Sequence, residues 1–362
     1  MAAKQSLLCL FGGKSTEYKV SLMSASHVIP ALDPQKYDVH LVGITENGKW
    51  YAYSGSLDAI ADDTWHTHPQ WLRRAVLSAS FGDKTLYVES DTKNTFTPIA
   101  IDVAVPVLHG ANGEDGTVQG LLSLSGIPYV GPHCTASAVA MDKMFTRLIL
   151  SHYDIPQVKT AYLFRSQIEN DPETALDTAE RVDAYPLFVK PANAGSSIGV
   201  SKASNREELR IALRTAASFD TKVLVEECIF GKEIECAVLG NENPIPSVPG
   251  EINPGSDFYD YDTKYITDTS EGFIPARIPK ETAEQVQMYA KKIFEVLGCK
   301  GLSRVDFFVE DGSGRIIFNE INTLPGFTQI SMYPKLWNYM GKPAQLLLDE
   351  LIAYAYKANA DG

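Results

Sequence analysis

Two acidic residues near the C-terminal end of the chain, Asp306 and Glu320, have the types and spacing of a metal-binding pair. Each lies in an apolar segment with the alternation of a β-strand, and a glycine-rich turn centred near Ser313 would join the segments into a hairpin. That hairpin places Asp306 directly opposite Glu320. Opposed carboxylates repel one another unless a cation lies between them. The pair therefore predicts a divalent metal site, and a solvated outer face of the sheet is the alternative.

Arg304 and Asn322 extend the polar set along the same face of the predicted hairpin. Carboxylate and amide oxygens suit Mg²⁺, which completes its shell with phosphate oxygens of a substrate. The second strand continues into a Thr-Leu-Pro-Gly-Phe loop, where Gly326 could bring backbone N–H groups close to a ligand. These neighbours favour Mg²⁺ over the solvated face.

A lysine and a loop of small residues in the middle of the chain have the chemistry to hold phosphate. Lys190 ends an apolar strand candidate, and the small residues of 192–200 follow it. Backbone N–H groups of such a loop, together with the hydroxyls of Ser196 and Ser197, can point at phosphate oxygens. A plain turn between strands is the alternative. The lysine favours phosphate binding, because a cation at a strand end needs an anionic partner.

An acidic segment follows another apolar strand candidate at 223–226. The strand runs into Glu226 and Glu227, and Glu233 follows across a bend. Carboxylates and exposed backbone at this point could bind an adenine amine and ribose hydroxyls. A solvated acidic loop explains the segment equally simply, so it indicates a nucleotide only in combination with the other motifs.

The elements that must position these residues indicate an α/β chain of three domains. Apolar runs alternate with helical patterns over residues 1–134, which predicts a mostly parallel sheet. A helix from about 135 to 153 opens a second domain, 135–226. Strand candidates and a helix at 281–297 form a third, α+β domain, 227–362. Within it, residues 253–269 show neither the helical nor the strand periodicity of apolar residues. They predict a long surface loop, of a kind that is often functional.

Composition narrows the class of protein. The 362 residues are 44% hydrophobic and 21% charged, as in ordinary globular proteins, and no apolar run approaches the ~20 residues that span a bilayer. The five cysteines lack metal-ligand spacing and are expected to be free thiols of a cytoplasmic protein. A net charge of −13 disfavours nucleic acid. We therefore expect a cytoplasmic enzyme that acts on small molecules, with no nucleic-acid or membrane partner.

Motifs spread from residue 9 to about residue 336 resemble the ATP-grasp superfamily and, within it, the D-alanine–D-alanine ligases. They are Phe-Gly-Gly-Lys-Ser-Thr-Glu at 11–17, Leu-His-Gly with Gly-Glu-Asp-Gly at 108–116, Met-Asp-Lys at 141–143, Phe-Val-Lys-Pro at 188–191, Val-Glu-Glu at 225–227, the loop 259–265, Arg-Val-Asp at 304–306 and the segment 319–326. The resemblance implies a three-domain ATP-grasp fold with an N-terminal Rossmann-like domain. It also implies ATP-dependent ligation of two D-alanines through an acylphosphate for peptidoglycan precursors, two Mg²⁺ ions replaceable by Mn²⁺, and a homodimer.

The resemblance further implies roles for individual residues. The nucleotide would be held by Lys143, Lys190, Ser197, Glu226, Glu227, Ile229 and Glu233. The metal ions would be held by Asp306, Glu320 and Asn322. Substrate contacts would come from His109, Lys264, Gly326, Ser331 and Met332, and catalytic roles from Glu17, Ser196, Tyr265 and Arg304. Glu17 would accept the first D-alanine's ammonium, while Arg304 and the Gly326 N–H would stabilise the oxyanion.

Three positions bear on the second substrate, and they point in different directions. Tyr18 stands where this family usually has His or Arg, and it resembles vancomycin-resistance relatives that make D-alanyl-D-serine. Tyr265 resembles the dipeptide-forming members, and Met332 is apolar where the serine-using relatives resemble one another in carrying arginine. We therefore expect D-alanyl-D-alanine, with a D-alanine–D-serine or D-lactate ligase as the alternative.

Two rival classes are another ATP-grasp carboxylate–amine ligase and a non-enzymatic nucleotide-binding module. The loop 259–265 argues against the first. The second predicts a lost metal ligand or phosphate lysine, and the sequence keeps both.

Overall fold

The first strands of the chain form a parallel sheet that is covered on both faces. In the computed structural model, which describes residues 3–92, 94–195, 198–253 and 271–360, β1 (Gln5–Gly12) pairs in parallel with β2 (Tyr37–Ile44) and β7 (Val103–Leu108). Alternate side chains of β1 enter two different cores. One face packs against α1 (Tyr18–Ala31) and the other against α3 (Thr117–Ser125).

The outer half of this sheet is antiparallel, and the prediction of a mostly parallel sheet is wrong there. Its strands are β3 (Trp50–Tyr53), β4 (Leu72–Leu77), β5 (Thr85–Glu89) and β6 (Phe96–Ala100), with the short helix α2 (Leu57–Ala61) between the first two. The order across the sheet is β6-β5-β4-β3-β2-β1-β7. Short connections allow antiparallel neighbours, whereas a parallel pair needs a longer crossover.

The helix predicted from 135 to 153 is two helices, because the chain breaks at Asp142. These are α4 (Cys134–Met141) and α5 (Lys143–Ser151). Asp142 has an extended backbone, its carboxylate accepts a hydrogen bond from the Phe145 N–H at 3.1 Å, and it pairs with Lys222. Aspartate is a favoured residue at the start of a helix for this reason. The break makes Lys143 the first residue of α5.

The central part of the chain forms an antiparallel sheet, and its predicted strands are confirmed. The order is β10-β9-β11-β8, from β8 (Thr160–Phe164), β9 (Leu187–Pro191), β10 (Ser201–Ala203) and β11 (Lys222–Glu227). An apolar core lies between this sheet and the helices α6 (Arg165–Asn170), α7 (Pro172–Glu180) and α8 (Arg206–Phe219). Lys190 and Glu226 thus lie on adjacent strands.

The C-terminal sheet carries the predicted hairpin at its edge. Its order is β15-β14-β12-β16-β17, with β13 beside β12. The strands are β12 (Gly231–Gly240), β13 (Ile245–Pro246), β14 (Gly250–Asn253), β15 (Glu271–Phe273), β16 (Gly301–Glu310) and β17 (Ile316–Asn322). The helix α9 (Lys280–Val296) packs on one face of this sheet.

The last two helices, α10 (Met332–Tyr339) and α11 (Ala344–Ala360), pack against the N-terminal part of the chain. Leu348 and Leu351 of α11 share one apolar core with Leu22 of α1 and with the parallel strands. Asp349 also binds Lys36 and Tyr37 at the start of β2. The first and last predicted domains are therefore held together by a common core. Within the described ranges, none of the helices has the length and apolarity needed to cross a bilayer.

A β-bulge at Asn319 sets which residues of the hairpin face each other. Near the turn, Val309 pairs with Ile316, one residue out of step with a turn centred at Ser313. Beyond the bulge the register changes, and Asp306 pairs with Glu320. The predicted facing pair is confirmed, but only because the bulge leaves Asn319 unpaired in the ladder and compensates for the turn.

Candidate active site

The carboxylates of β16 and β17 lie among basic and amide groups. Arg304 donates to Asp306 through Nε at 2.8 Å and Nη2 at 2.7 Å, and Asn322 donates from Nδ2 to the same carboxylate at 2.9 Å. Glu235, which faces Asp306 from β12, lies 3.0 Å from the Arg304 Nε. Arg304 thus offsets part of the negative charge that Asp306, Glu320 and Glu235 bring together.

This set of residues fits a divalent metal by its donor chemistry. Asp306, Glu320 and Asn322 present carboxylate and amide oxygens on one sheet face, which is the donor type that Mg²⁺ takes in proteins. The described residues contain no cluster of three or more His, Cys, Asp or Glu side chains arranged for a metal. The candidate site therefore depends on two carboxylates, an amide and oxygens that a bound phosphate would supply.

Lys143 connects the candidate metal ligands to the small-residue loop at 192–195. Its Nζ donates to the Ala194 carbonyl at 2.8 Å and lies 3.5 Å from Glu320. Its backbone N–H donates to the Ala192 carbonyl at 3.1 Å. The chain break at Asp142 produces this position, since it turns the first residue of α5 toward the loop. One cation therefore lies between the small-residue loop and the edge of the C-terminal sheet.

Lys190 forms a buried ion pair with Glu226. The register pairs Lys190 with Leu224, so Glu226 is its diagonal neighbour on the same face. The Nζ–Oε2 distance is 2.9 Å. Burial lowers the pKa of Lys190 to about 8, although Glu226 acts against this. Glu226 is therefore the anionic partner that the protein itself supplies to Lys190.

Of the other nucleotide candidates, Glu227 is engaged by the protein itself. Its carboxylate accepts the Lys159 backbone N–H at 2.9 Å and lies 3.5 Å from Arg315. Ile229 lies half-buried in the turn after β11, and Glu233 lies on β12. The Glu227 carboxylate is therefore already occupied by protein groups. Glu226 faces Lys190, and the backbone of this segment offers further groups to a nucleotide.

His109 joins the N-terminal domain to the loop after β17. Its Nδ1 donates to the Leu324 carbonyl at 2.9 Å, so the hydrogen must be on that nitrogen, and Nε2 lies 2.9 Å from the Ser24 hydroxyl. The Phe327 N–H donates to the same hydroxyl at 3.3 Å. Burial lowers the pKa of His109 to about 4. The imidazole is therefore neutral at pH 7 and fixes the loop that contains Gly326.

Glu17 lies where three segments meet. Its carboxylate contacts the backbone at Gly110 and Gly195, where any side chain would collide with it. Nearby, Glu114 accepts the Gly110 N–H at 2.8 Å and the Leu324 N–H at 3.0 Å. Burial and the charge of Glu17 raise the pKa of Glu114. The structure thus brings Glu17 to the small-residue loop at Gly195 and to the segment around His109.

Ser331 and Met332, which were predicted to contact the second substrate, follow the loop after β17 that contains Gly326. Ser331 accepts the Thr328 N–H at 3.0 Å, and a side chain at Gly326 would contact its hydroxyl oxygen. Met332 is buried, with its sulfur against Gly250 of β14. Met332 therefore packs into the protein core and does not line an open surface.

Some predicted residues lie outside the described part of the chain. These are Ser196, Ser197, Lys264, Tyr265 and, apart from Asn253, the loop 253–269.

Three polar residues at the site were missed from the sequence: Glu114, Arg147 and Glu235. Arg147 follows Lys143 by four residues, so the helical period places it on the same face. Glu235 lies two residues after Glu233 on β12, so both side chains point to the same face, but the strand that pairs with Glu235 is distant in sequence. Glu114 belongs to a motif at 108–116 that gave no role for its side chain.

The hydroxyl of Tyr18 is held inside the N-terminal domain. It donates to Asp63 at 2.8 Å and accepts the indole N–H of Trp65 at 2.9 Å. A tyrosine hydroxyl has a single hydrogen to donate. Tyr18 is therefore committed to the packing of α1 against the segment 63–65.

Family comparisons agree with this architecture. Residues 6–132 match the family model described as D-ala D-ala ligase N-terminus, and residues 149–353 match the one described as D-ala D-ala ligase C-terminus. The chain belongs to the D-alanine–D-alanine ligase family. The predicted ATP-grasp fold class is thereby confirmed, and the family indicates an ATP-dependent ligase.

Similar proteins cover the whole ligase chain. It is 46% identical to a D-alanine–D-alanine ligase of Acetivibrio thermocellus over 100% of this chain and 98% of the relative. The solved VanG D-Ala:D-Ser ligase of Enterococcus faecalis is 40% identical with a TM-score of 0.87, covering 98% of this chain and 100% of that one. The D-alanine-D-alanine ligase structure from Coxiella burnetii is 34% identical with a TM-score of 0.84, covering 99% and 96%.

The low pKa of His109 predicts a pH-dependent contribution to stability. The unfolded chain binds the proton near pH 6.5, whereas the folded ligase excludes it until about pH 4. Stability is thus complete above pH 6.5 and falls as the pH drops toward 4. We expect His109 to lower the free energy of unfolding by about 1 kcal/mol between pH 7.5 and 5.5.

Denaturant unfolding at the two pH values measures this contribution. His109→Gln should reduce the pH dependence by that amount, while His27→Gln, on the exposed side of α1, should leave it unchanged. An identical pH dependence in wild type and His109→Gln would contradict the assignment.

Proposed function

We propose that this ligase joins two D-alanine molecules to D-alanyl-D-alanine and converts ATP to ADP and phosphate. The position of Lys143 is the observation that carries the proposal, because it links the small-residue loop to Glu320. Beside it lies a second buried lysine, Lys190, paired with a carboxylate on the next strand. Such a group of cations suits the phosphates of a nucleoside triphosphate next to the sheet face that carries Asp306 and Glu320.

The reaction has two steps. The carboxylate of the first D-alanine attacks the γ-phosphorus of ATP, so that ADP leaves and D-alanyl phosphate forms. The neutral amine of the second D-alanine then attacks the acyl carbon, and phosphate leaves as the peptide bond forms. Lys143 and Lys190 neutralise phosphate charge in the first step, and the hydroxyl of Ser197 would bind the same phosphates.

Asp306, Glu320 and Asn322 would hold Mg²⁺, as two ions, with Mn²⁺ able to replace it. Bound there, the metal would offset phosphate charge and orient the phosphate groups of the nucleotide. The protein contributes a face on which both acids are already fixed by neighbouring groups. Arg304 and Lys143 offset the acids before any metal arrives, which limits the cost of holding two carboxylates together.

Arg304 would act on the charge that develops at the acyl carbon. Its guanidinium is held by Asp306 and Glu235, so its direction is set in advance. The Gly326 N–H lies in the loop that His109 and Glu114 fix through Leu324. These two donors would stabilise the oxyanion.

The other contacts are assigned to the two D-alanines. Glu17 would accept the ammonium of the first, and His109 would line the same subsite. Ser331 and Lys264 would take the carboxylate of the second. Ser196 and Tyr265 would assist in catalysis, and Glu226, Glu227, Ile229 and Glu233 would surround adenosine.

We further propose domains at 1–134, 135–226 and 227–362, a homodimer, and a cytoplasmic role in peptidoglycan synthesis. No nucleic acid or membrane takes part in this reaction. The shared core of the first and third domains supports a rigid frame around the site.

D-Alanyl-D-serine is the second candidate product. The likeness to the VanG D-Ala:D-Ser ligase favours it, as does Tyr18. Against it, the Tyr18 hydroxyl is already used by Asp63 and Trp65. Met332 is buried against Gly250 in the protein core, so its side chain does not favour either product. Relatives named D-alanine–D-alanine ligase, up to 48% identical, support the dipeptide of D-alanine.

A competition assay tests the product. The ligase receives ATP, Mg²⁺ and equal D-alanine, D-serine and D-lactate at pH 7, and products are separated by mass. We expect mostly D-alanyl-D-alanine, a minor D-alanyl-D-serine fraction and almost no ester. Discrimination against the added hydroxyl should stay near ~10²-fold or below, since an apolar pocket rejects it weakly.

Tyr18→Phe serves as the matched variant in this assay. Because the hydroxyl is held inside the N-terminal domain, the D-serine fraction should stay within twofold of wild type. A wild-type enzyme that makes chiefly D-alanyl-D-serine would overturn the proposed product, and a changed fraction in Tyr18→Phe would show that this tyrosine sets it.

The role of Arg304 predicts a kinetic signature. Arg304→Met removes one donor to the transition state, which typically costs ~3 kcal/mol, or about 10²–10³ in kcat. The KM for ATP should change little. Glu235→Gln keeps Arg304 and its contacts with Asp306, so kcat should fall less than about tenfold. Steady-state kinetics with matched thermal unfolding checks both, and a raised KM for ATP with unchanged kcat would assign Arg304 to binding.

A further inference from the structure

Arg147 is a buried arginine at the junction of the central and C-terminal sheets. It is 2% exposed and lies one helical turn after Lys143 on α5. Its Nη1 donates to the Thr160 hydroxyl at 2.9 Å, and its Nη2 lies 2.8 Å from Glu226 Oε1. A charge so deeply buried is costly unless it is paired.

Glu226 is shared between two cations. Lys190 lies against one carboxylate oxygen at 2.9 Å, and Arg147 lies against the other at 2.8 Å. Burial acts to raise the pKa of Glu226, but Arg147 and Lys190 outweigh it and hold the pKa below its usual value. The carboxylate is therefore charged and has a fixed direction.

The two cations are not equivalent. Lys190 has a flexible point charge beside the loop at 192–195, whereas Arg147 is a rigid fork anchored to Thr160. If Lys190 turns to a phosphate, Glu226 loses one partner. A buried carboxylate left without a cation costs several kcal/mol. Arg147 removes that penalty, because it stays in contact with the other oxygen.

Arg147 also contacts the β-bulge at Asn319, which sets the pairing of Asp306 with Glu320. Its Nη2 donates to the Asn319 carbonyl at 3.4 Å, next to Glu320. The neighbouring Phe318 N–H donates to the Pro156 carbonyl at 2.8 Å, and Gln157 donates to the Arg147 carbonyl at 3.1 Å. The same guanidinium thus links β11 to the unpaired residue of β17.

We propose that Arg147 is a positioning residue of the nucleotide site, which keeps Glu226 charged and in place when Lys190 transfers to the phosphates of a bound nucleotide. The inference rests on the proposed use of ATP and adds a residue to that site. A merely structural arginine would instead affect stability and leave nucleotide affinity unchanged.

Calorimetric titration with ADP and Mg²⁺, without D-alanine, tests the proposal independently of turnover. Arg147→Met should weaken ADP binding by at least tenfold, and Arg147→Lys, which keeps the charge, should bind within about threefold of wild type. Arg206→Met is the control, because Arg206 pairs with Glu173, Asp177 and Glu180 in the same part of the chain. Its ADP affinity should equal that of wild type.

A double-mutant cycle with Glu226→Gln shows whether Arg147 acts through this carboxylate. On that background, Arg147→Met should change ADP affinity by less than twofold. ADP affinity of Arg147→Met within twofold of wild type, or an equal loss on both backgrounds, overturns the proposal. If Arg147→Met does not fold, Arg147→Gln, which removes the charge but keeps a side-chain N–H donor, takes its place with the same expected tenfold loss, and ADP affinity within twofold of wild type overturns the proposal.

These outcomes are separate from the product of the reaction. A wild-type enzyme that binds ADP but forms no D-alanyl-D-alanine would refute the proposed function and leave the test of Arg147 intact.

Discussion

Two carboxylates face each other across one pair of strands, and much of the site follows from this constraint. Asp306 is buried and Glu320 is half-buried, so their charges repel one another unless cations lie close to them. Arg304 binds the first and Lys143 approaches the second. In the proposed reaction the same two cations would act on phosphate and acyl charge, so one arrangement would both offset the acids and prepare the chemistry.

The fold brings these groups together from three sheets. The segments that follow the parallel strands β1 and β7 supply Glu17 and His109, the central sheet supplies Lys190, and the C-terminal sheet supplies the acids. His109 and Glu114 tie the first unit to the loop at Leu324, while Arg147 ties the second to β17. Each link is a buried or partly buried polar contact, which is costly to leave half-made and therefore favours one relative arrangement.

Local patterns in the sequence predicted the facing acids, because strand alternation and a short turn depend only on neighbouring residues. Even there, the agreement of Asp306 with Glu320 depended on a bulge at Asn319 that no pattern indicated. The break at Asp142 was hidden by a continuous helical pattern on both sides. Arg147 and Glu235 could not be assigned, since their partners lie on strands far away in sequence.

The central claim is that the acids on β16 and β17 form a divalent cation site beside the nucleotide. Electron paramagnetic resonance of Mn²⁺, titrated in the presence of ADP, measures this directly. Glu310→Gln, at the far end of the same hairpin, is the matched control for Glu320→Gln. The account predicts tight Mn²⁺ binding in wild type and Glu310→Gln, and at least tenfold weaker binding in Glu320→Gln. Equal Mn²⁺ affinity in all three proteins would contradict it.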